Sequence, residues 1–146
     1  MTRIKQLDHV GITVSDLDEA TRFFVGLGLE VEGRATLEGE FLDTVCGLSG
    51  ARSEIVMLRP PDGGPAIELG TFQTPEPEPG SPDAMANELG IRNVCFEIED
   101  LPGTVERLGA EGYRLVGGIG NHEDTWLMAY VRGPDGIVVS LAEQLG

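Results

Sequence analysis

One pattern occurs twice in this chain, and that repeat limits its fold more than any other feature. Residues 7–31 (LDHVGITVSDLDEATRFFVGLGLEV) lie without a gap on residues 91–115 (IRNVCFEIEDLPGTVERLGAEGYRL). Val10 falls on Val94, Ile12 on Phe96, Val14 on Ile98, Asp16 on Asp100, Leu17 on Leu101 and Gly28 on Gly112. Two similar units are therefore expected. The pair that departs most in chemistry is His9, which falls on Asn93.

Each copy reads as strand, helix, strand. Val10, Ile12 and Val14 alternate with His9, Gly11 and Thr13, the period of a strand with one apolar face. Ser15, with Asp18 three residues on, predicts a capping box. Asp16, Asp18 and Glu19 favour the positive end of the helix dipole. Ala20, Phe23, Phe24 and Leu27 recur at helical spacing, and Gly28 marks the stop. In the second copy Asp100 precedes the helix, Pro102 sits in its first turn, and Leu101, Val105 and Leu108 form its stripe. Each strand can lay its apolar face on its own helix. The opposite face, with His9 in one copy and Asn93 in the other, is free to line a pocket.

Further strands are expected over 30–36, 53–59 and 65–73 in the first unit, with a short helix over 38–47. In the second unit strands are expected over 113–119, 125–132 and 137–143, with a loop at 120–124. The sequence PPDGG makes a turn at 60–64 and GPDG another at 133–136. The segment TPEPEPGSP (74–82) is proline-rich, extended and has nothing to pack. Residues 83–89 are expected to form a short helical turn. This divides the chain into a first module at 1–73, a linker at 74–90 and a second module at 91–146. Aligning the two turn-plus-strand endings, with one extra residue in the first, places Glu68 on Ser140.

The formal net charge is −15, which argues against nucleic acid and against an anionic membrane surface, because both need cations to neutralise phosphate. It is compatible with a cationic ligand, although acidic surfaces commonly serve solubility alone. No signal peptide and no membrane span are seen, so a cytoplasmic protein is expected. Cys46 and Cys95 lack zinc or redox spacing and are expected to be buried, reduced thiols.

With paired βαβββ units, an opening DHVGITVSDLDEATRFF and the endings DGGPAIEL and GPDGIVVSL, the chain resembles the vicinal oxygen chelate superfamily. That superfamily includes glyoxalase I, methylmalonyl-CoA epimerase, extradiol dioxygenases, and fosfomycin- and bleomycin-resistance proteins. The resemblance implies an α+β fold in which two βαβββ modules form curled mixed sheets around a cup-shaped cavity. The ending YVRGPDGIVVSLAEQLG and the loop NHED are most similar to uncharacterised bacterial glyoxalase-like proteins.

In metal-using members the first and last strand of each unit supply one ligand each. Carried onto this chain, the resemblance implies His9 and Glu68 as metal ligands from the first unit, with Asn93 and Ser140, both weak donors, at the matching second-unit positions. It implies one divalent ion (zinc, nickel, cobalt, manganese or iron), or none, because two strong ligands fall short of a catalytic zinc set. A hydrogen-bonded His9–Glu68 pair without metal is the competing reading of the same residues.

Glu68 and Glu143 are the candidate proton carriers. Asn93, Ser140, Trp126 and His122 are candidate substrate contacts. Strict alternation puts Glu143 on the Val139 and Leu141 face, so only a bulge or strand end would turn it inward. Glu97 shares the inward face of Asn93, and Trp126 and Tyr130 share one face, as pocket wall or core. Glu123 and Asp124 read as solvated loop residues. The resemblance implies a small-molecule ligand and a homodimer.

Two functions remain open. One is lyase, isomerase or epimerase chemistry through metal-assisted enolate stabilisation. The other is metal-free sequestration of a small molecule such as an antibiotic. Glyoxalase I proper and an extradiol dioxygenase are disfavoured by the incomplete ligand set.

Overall fold

The alternation at the start of each repeat does form a strand, and the apolar helix after it covers one face of a sheet. A computed structural model describes residues 2–146, which divide into two units between Pro79 and Gly80. The first unit runs β1 (His9–Thr13), α1 (Leu17–Gly26), β2 (Glu30–Glu38), α2 (Glu40–Cys46), β3 (Arg52–Arg59) and β4 (Ala66–Thr74). The second runs β5 (Val94–Glu97), α3 (Leu101–Ala110), β6 (Gly120–His122), β7 (Trp126–Arg132) and β8 (Val138–Gln144), with a 3-10 turn at Pro134–Gly136.

The sheets have matching topology, β1-β4-β3-β2 and β5-β8-β7-β6. In each, the first strand is parallel to the last and the other pairings are antiparallel. The register carries the repeat into three dimensions: Gly11 sits beside Glu68, as Cys95 sits beside Ser140. The expected α+β fold of two four-stranded mixed sheets with three helices is what the chain forms.

Helix α1 lies against β3 and β4. Ala20, Phe23 and Phe24 are buried there, as are Val56, Leu58, Ile67 and Leu69 on the strands. Burying each of the larger of these side chains contributes about 1.5–3 kcal/mol. In the second unit Leu101 and Leu108 of α3 are buried, as are Val131, Val139 and Leu141. One face of each sheet is therefore committed to its helix, and the other face is not covered by it.

The helix caps differ slightly from expectation. Asp16, not Ser15, is the N-cap of α1, and its Oδ1 accepts from the Glu19 N–H at 3.0 Å. Asp100 caps α3 by accepting from the Gly103 N–H at 3.1 Å. A carboxylate at this position meets the orphan amides and the helix dipole together. Gly28 and Gly112, the paired stops, hold φ of 114° and 95°, where a Cβ would be strained.

Three expectations are corrected. The strand expected at 113–119 is reduced to an irregular stretch beside β7, with one bridge between Leu115 and Val131 and the Val116 N–H donating to the Tyr130 carbonyl at 2.8 Å. The neighbouring strand is instead β6, inside the segment read as a loop. Glu123 and Asp124, with φ of 51° and 57°, form the two-residue turn of a hairpin that the Thr125 N–H closes on the His122 carbonyl at 2.9 Å. Positive φ at both central residues suits hairpin twist, but without glycine it leaves little sequence signal.

The second correction concerns 74–90, which is not idle. Arg132 donates to the carbonyls of Pro82 and Ala84, each at 2.9 Å. Residues 83–89 make turns rather than a helix, with Ala84 N–H to Ser81 O and Glu88 N–H to Met85 O, both at 3.0 Å. The third correction is that Cys46 and Cys95 are free, as expected, but exposed. Cys46 ends the short helix α2, and Cys95 lies on a strand with a single neighbour. Among the described residues, no helix is long and apolar enough to cross a membrane.

Candidate functional site

In the first unit the pleat turns Gly11 and Glu68 to one side, and His9, two residues before Gly11, shares that side. This is the face away from α1. His9 Nε2 stands 3.6 Å from Glu68 Oε2, and His9 Nδ1 lies 2.7 Å from Asp8 Oδ2. Glu68 is half-buried and His9 exposed, so a ligand can reach both.

An ionised carboxylate can only accept, so the Asp8 contact requires His9 Nδ1 to carry the hydrogen. In the neutral ring Nε2 is then a bare lone pair facing the Glu68 carboxylate. At 3.6 Å the two are too far apart for a good hydrogen bond; a proton on Nε2 makes them an ion pair, and without it they repel unless a cation lies between them. Ligands bonded to one ion at about 2.0–2.2 Å stand about 3.0–3.6 Å apart, so the pair fits two positions on a divalent cation. A carboxylate behind the imidazole is also the usual support of a metal-binding histidine. The two donors suit an ion whose other positions are filled by substrate oxygens and water. Among the described residues no three of His, Cys, Asp and Glu are grouped to hold a metal ion.

Asp8 escapes the sequence reading. Alternation assigns it to the face opposite His9, but it precedes β1, where the pleat no longer dictates direction. A second charged pair lies nearby. The bulge between Val31 and Gly33 sets Glu32 against Arg59, whose guanidinium also reaches the Gly64 carbonyl at 2.6 Å. The Arg59 hydrogen bond, helped by the Arg59 charge, holds the Glu32 carboxyl below its ordinary value, opposed by desolvation and by the Asp8 charge. Asp8 thus lies within electrostatic reach of that pair as well as of His9.

The second unit keeps the geometry and changes the chemistry. Ser140 occupies the Glu68 position, is 1% exposed, and its hydroxyl has no partner among the described residues. Asn93 donates from Nδ2 to the Tyr130 hydroxyl at a long 3.4 Å. Tyr130 pairs with Ser140, Met128 with Ala142, and His122 with Trp126. Trp126, Tyr130 and Ser140 therefore share the face away from α3, with Cys95 and Glu97. His122 is mostly exposed, with its Nε2 3.7 Å from Glu123 Oε2.

Glu143 lies on the other face. It pairs with Leu127, and its Oε1 accepts from the Leu101 N–H at 2.7 Å. No bulge turns it inward; its carboxylate finishes the first turn of α3. Glu143→Ala is expected to destabilise the protein by about 1–2 kcal/mol, the usual value of a lost cap. Urea unfolding monitored by circular dichroism checks this, and an unchanged midpoint would contradict the capping role.

The chain belongs to the Glyoxalase/Bleomycin resistance protein/Dioxygenase superfamily, whose family profile matches residues 8–130. A crystal structure of a glyoxalase family protein from Bacillus cereus is 41% identical, with a TM-score of 0.95 over 99% of this chain and 97% of that one. An ethylmalonyl-CoA/methylmalonyl-CoA epimerase from Cereibacter sphaeroides is 29% identical over 96% of this chain and 98% of its own length. The fosfomycin resistance protein FosX from Listeria monocytogenes, solved with Mn(II) and dihydroxypropylphosphonic acid, is 15% identical with a TM-score of 0.61. It covers 95% of this chain and 90% of its own, and it shares the fold alone.

Proposed function

We propose that this protein is an enzyme of the lyase, isomerase or epimerase type. It removes a proton from a carbon beside a carbonyl and stabilises the enolate that results. The observation that carries this reading is His9 Nε2 and Glu68 Oε2 facing each other at 3.6 Å, with Asp8 2.7 Å behind the imidazole. Such a pair suits a positive charge placed between its members. The epimerase relative supports proton transfer as the reaction class.

Asp8 positions His9 through the Nδ1 hydrogen. His9 and one oxygen of Glu68 would hold a divalent ion, and the other oxygen remains free to take the proton from carbon and return it. When bound, the ion would act as a Lewis acid on the substrate carbonyl. A carboxylate suits the proton-moving role because the sheet holds it and it is half-buried, where it is less screened.

The competing reading, a metal-free binder of the bleomycin-resistance kind, draws on Asn93 and Ser140 standing where strong donors would be expected. Two measurements separate the readings. Elemental mass spectrometry of protein reconstituted with nickel, zinc, iron, cobalt or manganese is expected to find near-stoichiometric metal, lost in His9→Ala. Mass spectrometry of methylmalonyl-CoA and ethylmalonyl-CoA in heavy water is expected to show uptake of one deuterium. Absence of both metal and exchange would favour the binder.

A further inference from the structure

Neither its backbone nor its packing explains why Gly11 is a glycine. It lies in the middle of β1, outside the left-handed region that favours glycine, and a Cβ built on it would meet nothing within 4 Å. A glycine inside a strand loses more conformational freedom than alanine and has no side chain to pack, so alanine would serve the fold better. The repeat shows that this place tolerates a side chain. The second copy has Cys95 there, beside Ser140 as Gly11 is beside Glu68. The bare position belongs to the unit with His9 and Glu68, and the filled one to the unit where Asn93 and Ser140 replace them. The β1–β4 register runs without a bulge, and a strand glycine that serves no bulge or bend marks a place where a ligand comes close to the backbone.

The position of Gly11 fits such an approach. It pairs with Glu68 and follows His9 by one pleat on the same face. A carbon that gives its proton to Glu68 must come within about 3–3.5 Å of a carboxylate oxygen. Across the sheet Glu68 has two neighbours in its row, Gly11 on β1 and Met57 on β3. The Met57 side chain fills its own place, so the bare one is over Gly11. It is also on the β1 side, where His9 Nε2 stands 3.6 Å from Glu68 Oε2. Gly33 ends the same row beyond Met57 and is equally open. It lies two strand spacings, about 10 Å, from Glu68, too far to touch a group reacting there.

We propose that Gly11 is a specificity-determining residue: the space over its backbone receives the reacting carbon of the substrate together with the alkyl group that this carbon bears. The substrate class is an acyl compound with an alkyl substituent on the carbon beside its carbonyl. The inference rests on the reading of His9 and Glu68 as the reacting pair, and it adds the size of the group that the site accepts.

The test is binding, not turnover. Acetohydroxamic and butyrohydroxamic acid are neutral ligands with two adjacent oxygens and alkyl groups of different size. Isothermal titration calorimetry measures both on the whole chain, with nickel and without it. Saturable binding to the wild type is expected. Gly11→Ala should weaken butyrohydroxamic acid by about 10-fold or more, the effect of one carbon in a fitted pocket, and acetohydroxamic acid by less than about 3-fold. Gly33→Ala makes the same change in the same row and should alter neither. Nickel uptake should be equal in all three proteins, because His9 and Glu68 are untouched. Both variants should melt no lower than the wild type, so weaker binding in Gly11→Ala is not a folding defect. Equal weakening of both acids in Gly11→Ala, an equal effect of Gly33→Ala, or no saturable binding in either form would each overturn the proposal. Failure to take up nickel or to exchange deuterium would instead count against the proposed chemistry, and the comparison of the two acids would still decide the role of Gly11.

Discussion

Glu68→Gln is expected to slow deuterium uptake at the substrate carbon by about 100- to 10,000-fold, the range that a positioned general base contributes. The substitution keeps the volume and the place beside Gly11 in the sheet. It removes the charge and the proton acceptor together. The fold should therefore persist, and a thermal melt run alongside should show only a small shift. Asp8→Asn supplies the graded comparison. It leaves His9 and Glu68 in place but gives Nδ1 an amide partner at the 2.7 Å position. A supporting residue of this kind typically affects metal affinity or activity by about 10- to 100-fold. Loss in the order Glu68→Gln, then Asp8→Asn, matches a proton carrier backed by a positioning carboxylate. Equal, small effects in both variants would remove the site from the chemistry.

Phe24→Ala is expected to cost about 3–5 kcal/mol, the largest single stability loss in the first unit. Phe24 is 0% exposed and meets Phe23 edge to face, with ring centroids 5.1 Å apart at 89°. Removing it opens a cavity beneath α1 and takes away an aromatic contact besides. Phe41→Ala on α2 is the control, because Phe41 is 74% exposed and surface changes usually stay within about 0.5 kcal/mol. Chemical denaturation of both variants gives the comparison. A small loss in Phe24→Ala would mean that α1 is not the element that closes the first core.

Much of this architecture is legible in sequence because period-two alternation and helical spacing report burial directly. Val10, Ile12 and Val14 announce a covered face, so alternation alone assigns His9 to the other face. The same logic puts Glu143 on the α3 side, where it is found. Asp8 is missed because alternation ceases to apply one residue before the strand begins. Strand β6 is missed because Glu123 and Asp124 make a hairpin turn with the composition of a solvated loop. That the Ser140 hydroxyl lacks a partner is also invisible, since a missing partner can be recognised only once every neighbour has a place. Chemistry that depends on what a side chain lacks is the hardest to read in one dimension.

The two turn-and-strand endings differ in length by one residue, yet Glu68 and Ser140 keep equivalent neighbours, Gly11 and Cys95. The extra residue is absorbed by the turn at 60–65, outside the ladder. This marks where the chain tolerates editing. Peptide tags or loop grafts placed at 60–64 leave every strand in phase. One residue added between Ala66 and Ile67 would swing that carboxylate under α1 and bring Ile67 out to stand beside Gly11. Length is negotiable in the turns, and parity is not negotiable in the strands.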